Sequence, residues 1–206
     1  QLLRADGTLI YVTSATAKFY GGTVGFTYVL SPLGQVDRRA DAVWDVQYRD
    51  VDVTTFSDFL ETRGLRLAGR ATGRHVTRFT LGAFERSTGE GRLSVVMPAG
   101  VAAMGPDVPD DAEEAATIRA AMEGPFSPHV ALAPLPIAGE IVYAFTGDTI
   151  EFAPSRFATE DTFVAFDGRT DWGLASRLPF HVSTRNWQES HRFLAGIMTM
   201  VAAPTA

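Results

Sequence analysis

The stretch Thr23-Val-Gly-Phe-Thr-Tyr-Val-Leu30 alternates between two kinds of side chain. Every second residue is large and apolar: Val24, Phe26, Tyr28 and Leu30. The positions that precede these are small or polar: Thr23, Gly25 and Thr27. A period of two residues is typical of a β-strand whose sheet has two unlike faces. The stretch therefore predicts a strand in a sheet with one apolar and one polar face.

The same period recurs on both sides of this stretch. Gly21-Gly22 separates it from an earlier strand-like run over residues 10–20, and a two-residue link of this kind is typical of a β-hairpin. Downstream, Trp44, Val46 and Tyr48 share one face, and the phase slips near Arg49-Asp50. Because a slip of one residue moves every later side chain to the other face, it predicts a β-bulge or a strand end there.

A short helix is predicted over 55–62, with Thr55 as its N-cap and Gly64 as its stop. Glycines then recur at short intervals: Gly64, Gly69, Gly73, Gly82, Gly89 and Gly91. Because glycine favours tight turns, this spacing predicts short strands over 65–67, 76–81 and 92–97.

Residues 98–136 differ in kind from the flanking segments. They hold seven of the 11 prolines: Pro98, Pro106, Pro109, Pro125, Pro128, Pro134 and Pro136. Proline lacks the amide that a central strand needs, so the sheet is expected to pause here. Asp110 and Glu113 form a capping-box pair that predicts a helix over 110–123. The segment is therefore predicted to be a helical insertion between a β-sheet section at 1–97 and another at 137–206.

Strand patterns resume at residue 137, with further strands over 149–153 and 162–166 and turns at Gly147-Asp148 and Asp167-Gly168. A closing helix is predicted over 187–201, with Asn186 and Glu189 as its capping pair. The connections are short, whereas parallel strands need crossovers of about a dozen residues. The predicted fold is mainly β with a few short helices, an antiparallel sheet with a helical insertion, which in one interpretation is curved and open. A closed β-sandwich is the alternative.

Composition excludes several kinds of chemistry. The 206 residues carry a net charge of −6, no cysteine, and Lys18 as their single lysine. Without cysteine there is no disulfide, thiolate metal site or cysteine nucleophile. Because Lys18 is the only lysine, the P-loop, S-x-x-K and Schiff-base chemistries are excluded as well. A net negative chain with scattered arginines is also a poor nucleic-acid binder.

No metal site is expected from the sequence. His75, His129, His181 and His191 are far apart and form no H-E-x-x-H motif. The run Asp50-Val51-Asp52 begins like a calcium loop but lacks the glycine of the sixth position, so an acidic pair at a strand end is the better interpretation. No catalytic residue and no cofactor are predicted.

The longest nearly apolar run, residues 194–203, is half as long as the roughly 20 residues that a membrane-spanning helix needs. The chain begins at Gln1 rather than Met, which favours a segment of a longer protein. Any membrane anchor is then expected outside these residues.

One predicted sheet face collects large apolar and aromatic residues: Phe26, Tyr28, Leu30, Trp44, Val46, Tyr48, Ile141, Tyr143, Phe166 and Phe180. Such a face is usually the core of a sandwich or barrel. The functional interpretation is an open sheet whose apolar groove binds acyl chains. The residues by themselves leave both interpretations open.

Several stretches resemble the bacterial AsmA-like superfamily, most closely its TamB-type translocation and assembly module proteins. The stretches are residues 15–28 around Phe-Tyr-Gly-Gly, 51–60, the glycine-spaced run 64–73, 89–95, 163–173 and 178–190. The similarity covers most of the chain except 98–136.

This resemblance implies a section of a long periplasmic, cell-envelope protein that is anchored in the inner membrane. It implies a trough with an apolar interior, phospholipid acyl chains as ligands, and transfer of phospholipid between membranes or assembly of outer-membrane proteins with an assembly partner. The ten face residues named above are then the candidate lipid-groove residues, and no enzyme activity is implied.

Two other function classes compete with this hypothesis. An extracellular β-sandwich that binds carbohydrate or a protein partner predicts exposed aromatics on an outer face or loop, such as Trp172 or Trp187. A hydrolase predicts two carboxylates that converge in one pocket.

Overall fold

The computed structural model describes residues 2–3, 9–34, 37–59, 66–106, 133–171, 176–187 and 189–190. The strands are β1 (Leu2–Leu3), β2 (Leu9–Phe19), β3 (Gly22–Leu33), β4 (Asp41–Asp52), β5 (Leu67–Ala68), β6 (Arg70–Thr80), β7 (Ala83–Val96), β8 (Leu135–Pro136), β9 (Ala138–Thr146), β10 (Thr149–Ala158), β11 (Thr162–Asp171) and β12 (Phe180–Thr184). One helix, α1 (Val53–Phe59), follows β4.

Ten of these strands form one sheet in the order β1-β2-β3-β4-β6-β7-β9-β10-β11-β12, and all neighbours in it are antiparallel. Within this sheet the strands keep their order in the chain, as expected for an antiparallel sheet with mostly short connections. β1 and β12 lie at opposite ends of the order, so the sheet is open. The expected open antiparallel sheet is confirmed, and the strands of the described residues do not form a closed sandwich.

The sheet continues across the proline-rich segment. β7 ends at Val96 and pairs directly with β9, where Val95 lies opposite Gly139. The two predicted β-sheet sections thus share one sheet. The helix predicted over 110–123 lies outside the described residues.

The pairing register of the sheet shifts at four places, in β2, β4, β6 and β10, and the β-bulges in β4 and β10 are two of these. In β4 the pairing with β6 shifts between Tyr48 and Val51, and Asp50 takes a left-handed conformation with φ of 54°. The phase slip near Arg49-Asp50 had predicted this bulge. A second bulge in β10 lies between Phe152 and Ser155 and contains Pro154, which has no amide to donate to a neighbouring strand.

The first hairpin turn is one residue earlier than predicted. It consists of Tyr20 and Gly21, with φ of 41° and 74°, and Gly22 is already the first residue of β3. Two-residue hairpin turns of this type need positive φ at both central residues, and the tight link forces even Tyr20 into that region.

Helix α1 also starts earlier than predicted, because Asp52 rather than Thr55 is its N-cap. The Thr54 amide donates to Asp52 Oδ1 at 2.9 Å, and the Thr55 hydroxyl donates to Oδ2 at 3.1 Å. Aspartate is a strong N-cap because its carboxylate satisfies amides that lack a helical partner. Residues 60–65, which include the predicted stop Gly64, lie outside the described residues.

The prediction that most of these glycines lie in turns between short strands was wrong. Gly73 lies inside β6, and Gly89 and Gly91 lie inside β7, so two strands of 11 and 14 residues replace the short pieces that were predicted. The turn predicted at Asp167-Gly168 is also strand, since β11 runs on to Asp171. Gly82 and Gly147 do occupy turns, with φ of 78° and 57°.

Apart from scattered residues such as Ala42 and Val76, the buried apolar residues of the described chain form a cluster at one end of the sheet. β5 and β8 form a parallel pair there, and the buried residues Leu135 and Ile137 pack against Leu67, Val95 and Phe157. Elsewhere the largest fully buried side chains among the described residues are Thr159, Thr162 and Ser190. Most of the described sheet is therefore a single layer.

The closing helix is described only at its start. The Glu189 amide donates to Asn186 Oδ1 at 3.2 Å, so Asn186 is the N-cap that the sequence predicted. The Glu189 carboxylate accepts hydrogen bonds from the hydroxyls of Thr159 and Thr162 instead of returning to the cap. Residues 191–206 lie outside the described part. Among the described residues, no helix is long and apolar enough to cross a membrane.

Candidate functional site: the aromatic face of the sheet

The strand register aligns the side chains on one face of the sheet in rows that cross nine strands. In one row Tyr28 lies opposite Trp44, and Trp44 lies opposite Thr77; in the next row Phe26, Val46 and His75 line up in the same way. Because directly opposed residues of antiparallel strands point to the same side, each row extends one face.

We call this surface the aromatic face. It comprises Tyr11, Thr13, Ala15 and Ala17 of β2; Val24, Phe26, Tyr28 and Leu30 of β3; Ala42, Trp44, Val46, Tyr48 and Val51 of β4; Ala71, Gly73, His75, Thr77 and Phe79 of β6; Gly89, Gly91, Leu93 and Val95 of β7; Gly139, Ile141, Tyr143 and Phe145 of β9; Ile150, Phe152, Ser155 and Phe157 of β10; Val164, Phe166, Gly168 and Thr170 of β11; and Phe180 and Val182 of β12. All ten lipid-groove candidates of the sequence analysis lie on it.

The aromatic face carries no Asp, Glu, Lys or Arg at these paired positions. Charged residues occupy the alternate positions of the same strands, such as Asp45, Arg74 and Glu90. The segregation follows from the period of two along each strand, kept in phase by register shifts such as those in β4 and β10. The result is one sheet with an uncharged and a charged surface.

The aromatic side chains of this face are only partly covered. Trp44 is 47% exposed and Phe180 is 65% exposed, and none of the described aromatic side chains is buried. Aromatic residues of an ordinary core are largely removed from water. The described face therefore resembles a binding surface more than the inside of a sandwich.

Rings of the aromatic face lie down on glycines of the neighbouring strand. Tyr48 is paired with Gly73, and a Cβ at Gly73 would come within 2.5 Å of the Tyr48 hydroxyl oxygen. In the same way, a Cβ at Gly91 would overlap the Tyr143 ring with which Gly91 is paired. The absent glycine side chains thus provide the space in which the rings lie flat, and this flattening covers backbone and partly buries the rings.

A polar cluster interrupts the centre of the aromatic face. His75 Nδ1 lies 2.7 Å from the Tyr143 hydroxyl, and His75 Nε2 lies 2.7 Å from the Thr77 hydroxyl. The imidazole stacks on Phe145 with a centroid distance of 5.8 Å and an angle of 9°. Partial burial lowers the pKa of His75, so the ring is held neutral near pH 7.

Tyr48 belongs to the same cluster. Burial raises the pKa of Tyr48, and the nearby Tyr143 raises it further. Burial likewise raises the pKa of Tyr143. Both phenols therefore stay protonated over the physiological range, and the cluster of Tyr48, His75, Thr77 and Tyr143 is uncharged.

The opposite surface is held by ion pairs. Arg74 binds Asp45 through two hydrogen bonds of 2.8 and 2.5 Å, and Arg92 binds Glu140. A depression of about 510 Å³ lies on this polar face and is lined by Glu90 and Glu151 among other residues. Both carboxylates are exposed, and Glu90 approaches Arg78 at 3.5 Å. Two exposed carboxylates, of which Glu90 is ion-paired, are not the converging buried pair that a glycosidase-like hydrolase needs.

The remaining residues singled out in the sequence form no second site in the described ranges. His181 Nε2 lies 3.0 Å from the Ser183 hydroxyl, whereas His129, Trp172 and His191 lie outside those ranges. Trp187, on the first turn of the closing helix, is 39% exposed. Among the described residues no group of three or more His, Cys, Asp or Glu is placed to hold a metal ion.

No family model, no curated protein and no solved structure matches this chain. The geometry of the aromatic face is therefore the main indication of function.

Sequence reasoning missed the interior of this face. It considered His75 only as a possible metal ligand, and it did not include Phe145, Phe152 and Phe157 among the groove candidates. A signal was present: Gly89-Glu-Gly91 and Tyr143-Ala-Phe145 have the same spacing, and the two segments pair glycine against ring. A Gly-x-Gly run matched by an aromatic-x-aromatic run therefore indicates ring-on-glycine packing between neighbouring strands.

Proposed function

We propose that this chain is a non-enzymatic section of a periplasmic, AsmA/TamB-like cell-envelope protein. Its aromatic face binds acyl chains of phospholipids, for lipid transfer between membranes or for outer-membrane protein assembly. The observation that carries the proposal is an uncharged apolar face that runs across nine paired strands and leaves its rings partly exposed.

The size of the face suits an acyl chain. Neighbouring strands are about 4.8 Å apart, so the six spacings from β3 to β11 give a path of roughly 29 Å. The hydrocarbon core of a bilayer is about 30 Å thick, and a lipid of one leaflet spans half of that. A single acyl chain can therefore lie along the face without leaving it.

The energetics also favour hydrocarbon as the ligand. Each CH₂ group removed from water contributes about 0.8 kcal/mol, and this contribution needs no precisely placed polar partner. The exposed aromatics offer such a surface, while the absence of charges on the paired positions avoids the cost of burying an ion. A face without a catalytic constellation is sufficient for this role.

The proposal is tested with two neighbouring residues of β3. Phe26 lies on the aromatic face and the exposed Thr27 on the polar face, so Phe26→Asp and Thr27→Asp place the same charge on opposite surfaces. Each purified chain is incubated with dioleoylphosphatidylglycerol vesicles and re-isolated, and retained lipid is quantified by mass spectrometry. We expect retention by the wild type and by Thr27→Asp, and a loss of about tenfold or more in Phe26→Asp.

Two outcomes contradict the proposal. One is a wild-type chain that retains no lipid, and the other is an equal loss in both variants. Exposed aromatic rings such as Trp44 are also the kind of surface on which sugars stack. The same chains are therefore screened against an oligosaccharide array. Glycan binding that Phe26→Asp abolishes, without lipid retention by the wild type, supports the carbohydrate-binding alternative.

A further inference from the structure

The centre of the aromatic face presents hydroxyl groups where a purely hydrocarbon-binding surface would present only carbon. The polar cluster of Tyr48, His75, Thr77 and Tyr143 lies on three adjacent central rows of the face. On the polar face, by contrast, the hydrogen-bonding groups are arginines and carboxylates. The two phenols, with His75 and Thr77, are thus the polar groups that a ligand meets at the centre of the aromatic face.

The two phenols reach the same place from opposite sides. Tyr48 extends from β4 over Gly73 of β6, and Tyr143 extends from β9 over Gly91 of β7. Gly73 and Gly91 are diagonal neighbours on adjacent strands, because Gly91 lies opposite His75. The hydroxyl ends of both rings therefore converge over β6 and β7.

Covering these hydroxyls with hydrocarbon alone is costly. A phenol both donates and accepts, and the bond with His75 uses only one of these roles of Tyr143. A bound alkyl chain displaces water from the remaining role and offers nothing in return, which penalises the complex. A ligand with a carbonyl or hydroxyl oxygen at this point avoids the penalty.

The same site disfavours a charged group. No cation lies on the paired positions of the face, and burial keeps the imidazole of His75 in its neutral form. A phosphate or carboxylate held against this surface would lose water without gaining an ionic partner. The matching polar group is therefore uncharged.

We propose that the Tyr48 and Tyr143 hydroxyls bind the uncharged glycerol-ester region of a lipid, whose acyl chains then lie along the aromatic face and whose charged headgroup, if present, lies beyond it. The inference rests on the acyl-chain binding proposed above. The ester region occurs both in phospholipids and in uncharged diacylglycerols, so the experiment includes both sources.

The test compares an ester lipid with a hydrocarbon in one sample. The full chain is incubated with dioleoylphosphatidylcholine vesicles that contain equal amounts of dioleoylglycerol and squalene, and the retained amounts of both are measured by mass spectrometry. Their ratio is insensitive to the fraction of folded protein, because both probes bind the same molecules. A second vesicle set replaces dioleoylglycerol with dioleoylphosphatidylglycerol.

We expect the wild type to prefer dioleoylglycerol over squalene. In the double variant Tyr48→Phe and Tyr143→Phe, which keeps both rings, the preference falls about threefold to tenfold, as expected for the loss of one or two uncharged hydrogen bonds. Tyr20→Phe, which removes a phenol hydroxyl in the turn between β2 and β3, outside the aromatic face, leaves the ratio unchanged. Equal preference for the two ester lipids identifies the ester rather than the headgroup as the recognised part.

The outcomes separate this inference from the proposed function. Retention of both probes with a ratio that the double variant does not change overturns the inference and leaves acyl-chain binding intact. A wild-type ratio near one, or a strong preference for dioleoylphosphatidylglycerol over dioleoylglycerol, also overturns it. Retention of neither lipid nor squalene by the wild type overturns the proposed function and this inference together.

Discussion

The two faces of the sheet are built from the same strands, yet different forces hold them. On the aromatic face, rings contact glycines and one another, as in the pair of Phe152 and Phe166 with centroids 5.4 Å apart. On the polar face, contacts are mainly arginine–carboxylate pairs such as Arg74–Asp45. Neighbouring residues of one strand therefore differ in partner, exposure and energetic weight.

Because of this difference, we expect contacts on the aromatic face to contribute most of the free energy of unfolding. Ion pairs that remain solvated contribute little, because water screens the attraction and ordering two long side chains costs entropy. Aromatic surface removed from water contributes in proportion to its area, and favourable ring contacts add to it. The aromatic face thus both stabilises the single-layer sheet and forms the proposed binding surface.

The strongest test of this comparison is Gly89→Ala. A Cβ at Gly89 would overlap both the Phe145 ring and the backbone carbonyl of Val76, so the ring and a strand must move. We expect a loss of about 2–3 kcal/mol in the free energy of unfolding, measured by urea denaturation. Gly105→Ala is the matched control, because no atom lies within 4 Å of a Cβ there. Similar stabilities of the two variants would show that the rings do not rest on the glycines.

The next test uses neighbouring residues of β10. Phe152 contacts the Tyr143 and Phe166 rings at 6.3 and 5.4 Å on the aromatic face, whereas Glu151 lies on the polar face. We expect Phe152→Ala to lower the free energy of unfolding by about 2 kcal/mol, and Glu151→Ala to change it by less than about 0.5 kcal/mol. Urea denaturation of both variants measures the contrast. An equal loss in both would remove the asymmetry between the faces.

A smaller effect is expected from Asp52→Ala, which removes the cap of α1. Although partial burial acts to raise it, the hydrogen bonds from Thr54 and Thr55 keep the pKa of Asp52 below its usual value. The variant should lose about 1 kcal/mol of unfolding free energy, in the range of other N-cap replacements. Asp58→Ala, at another aspartate of α1, removes only an exposed ion pair with Arg66, which lies outside the helix, and is the control. A larger loss in the control would argue against the capping role.

The smallest effect is expected from Asp45→Asn on the polar face. The hydrogen bond from Arg74 lowers the pKa of Asp45, against the opposing effect of burial. A lowered pKa means that the pair stabilises the fold above the unfolded pKa of about 3.9 and that this contribution disappears as the pH falls through the folded pKa. At pH 7, Asp45→Asn should therefore lower the free energy of unfolding by less than half as much as Asp52→Ala does. Below pH 4, its free energy of unfolding should depend less on pH than that of the wild type.

Urea denaturation at pH 7 and pH 3 measures this prediction. If Asp45→Asn destabilised the chain at pH 7 as much as Phe152→Ala, the polar face would carry far more of the stability than exposed ion pairs can supply.

Much of the fold was predictable from local alternation. The strand around Phe26, the bulge near Asp50 and the membership of Trp44, Tyr143 and Phe180 in one face all follow from a period of two residues. Alternation is a local property, because successive side chains of any strand point to opposite sides. It therefore survives without knowledge of which strands are neighbours.

The glycines show where such reasoning fails. Gly73 and Gly89 look like turn residues in the sequence, because glycine is the usual residue of tight turns. Their role became apparent only when β6 and β7 were paired with strands that carry Tyr48 and Phe145. The space above a glycine is a property of the neighbouring strand, which is 25 or more residues away in the chain.

The sequence by itself determined that this chain forms an antiparallel sheet with an apolar and a polar face. The alternation of apolar and polar residues along each strand specifies the chemistry of its two sides. Tertiary structure alone decided that the sheet is an open single layer in the described residues, with rings seated on glycines and His75 bonded to Tyr143. Those features depend on register between distant segments, and register is fixed by the simultaneous fit of all strands rather than by any one of them.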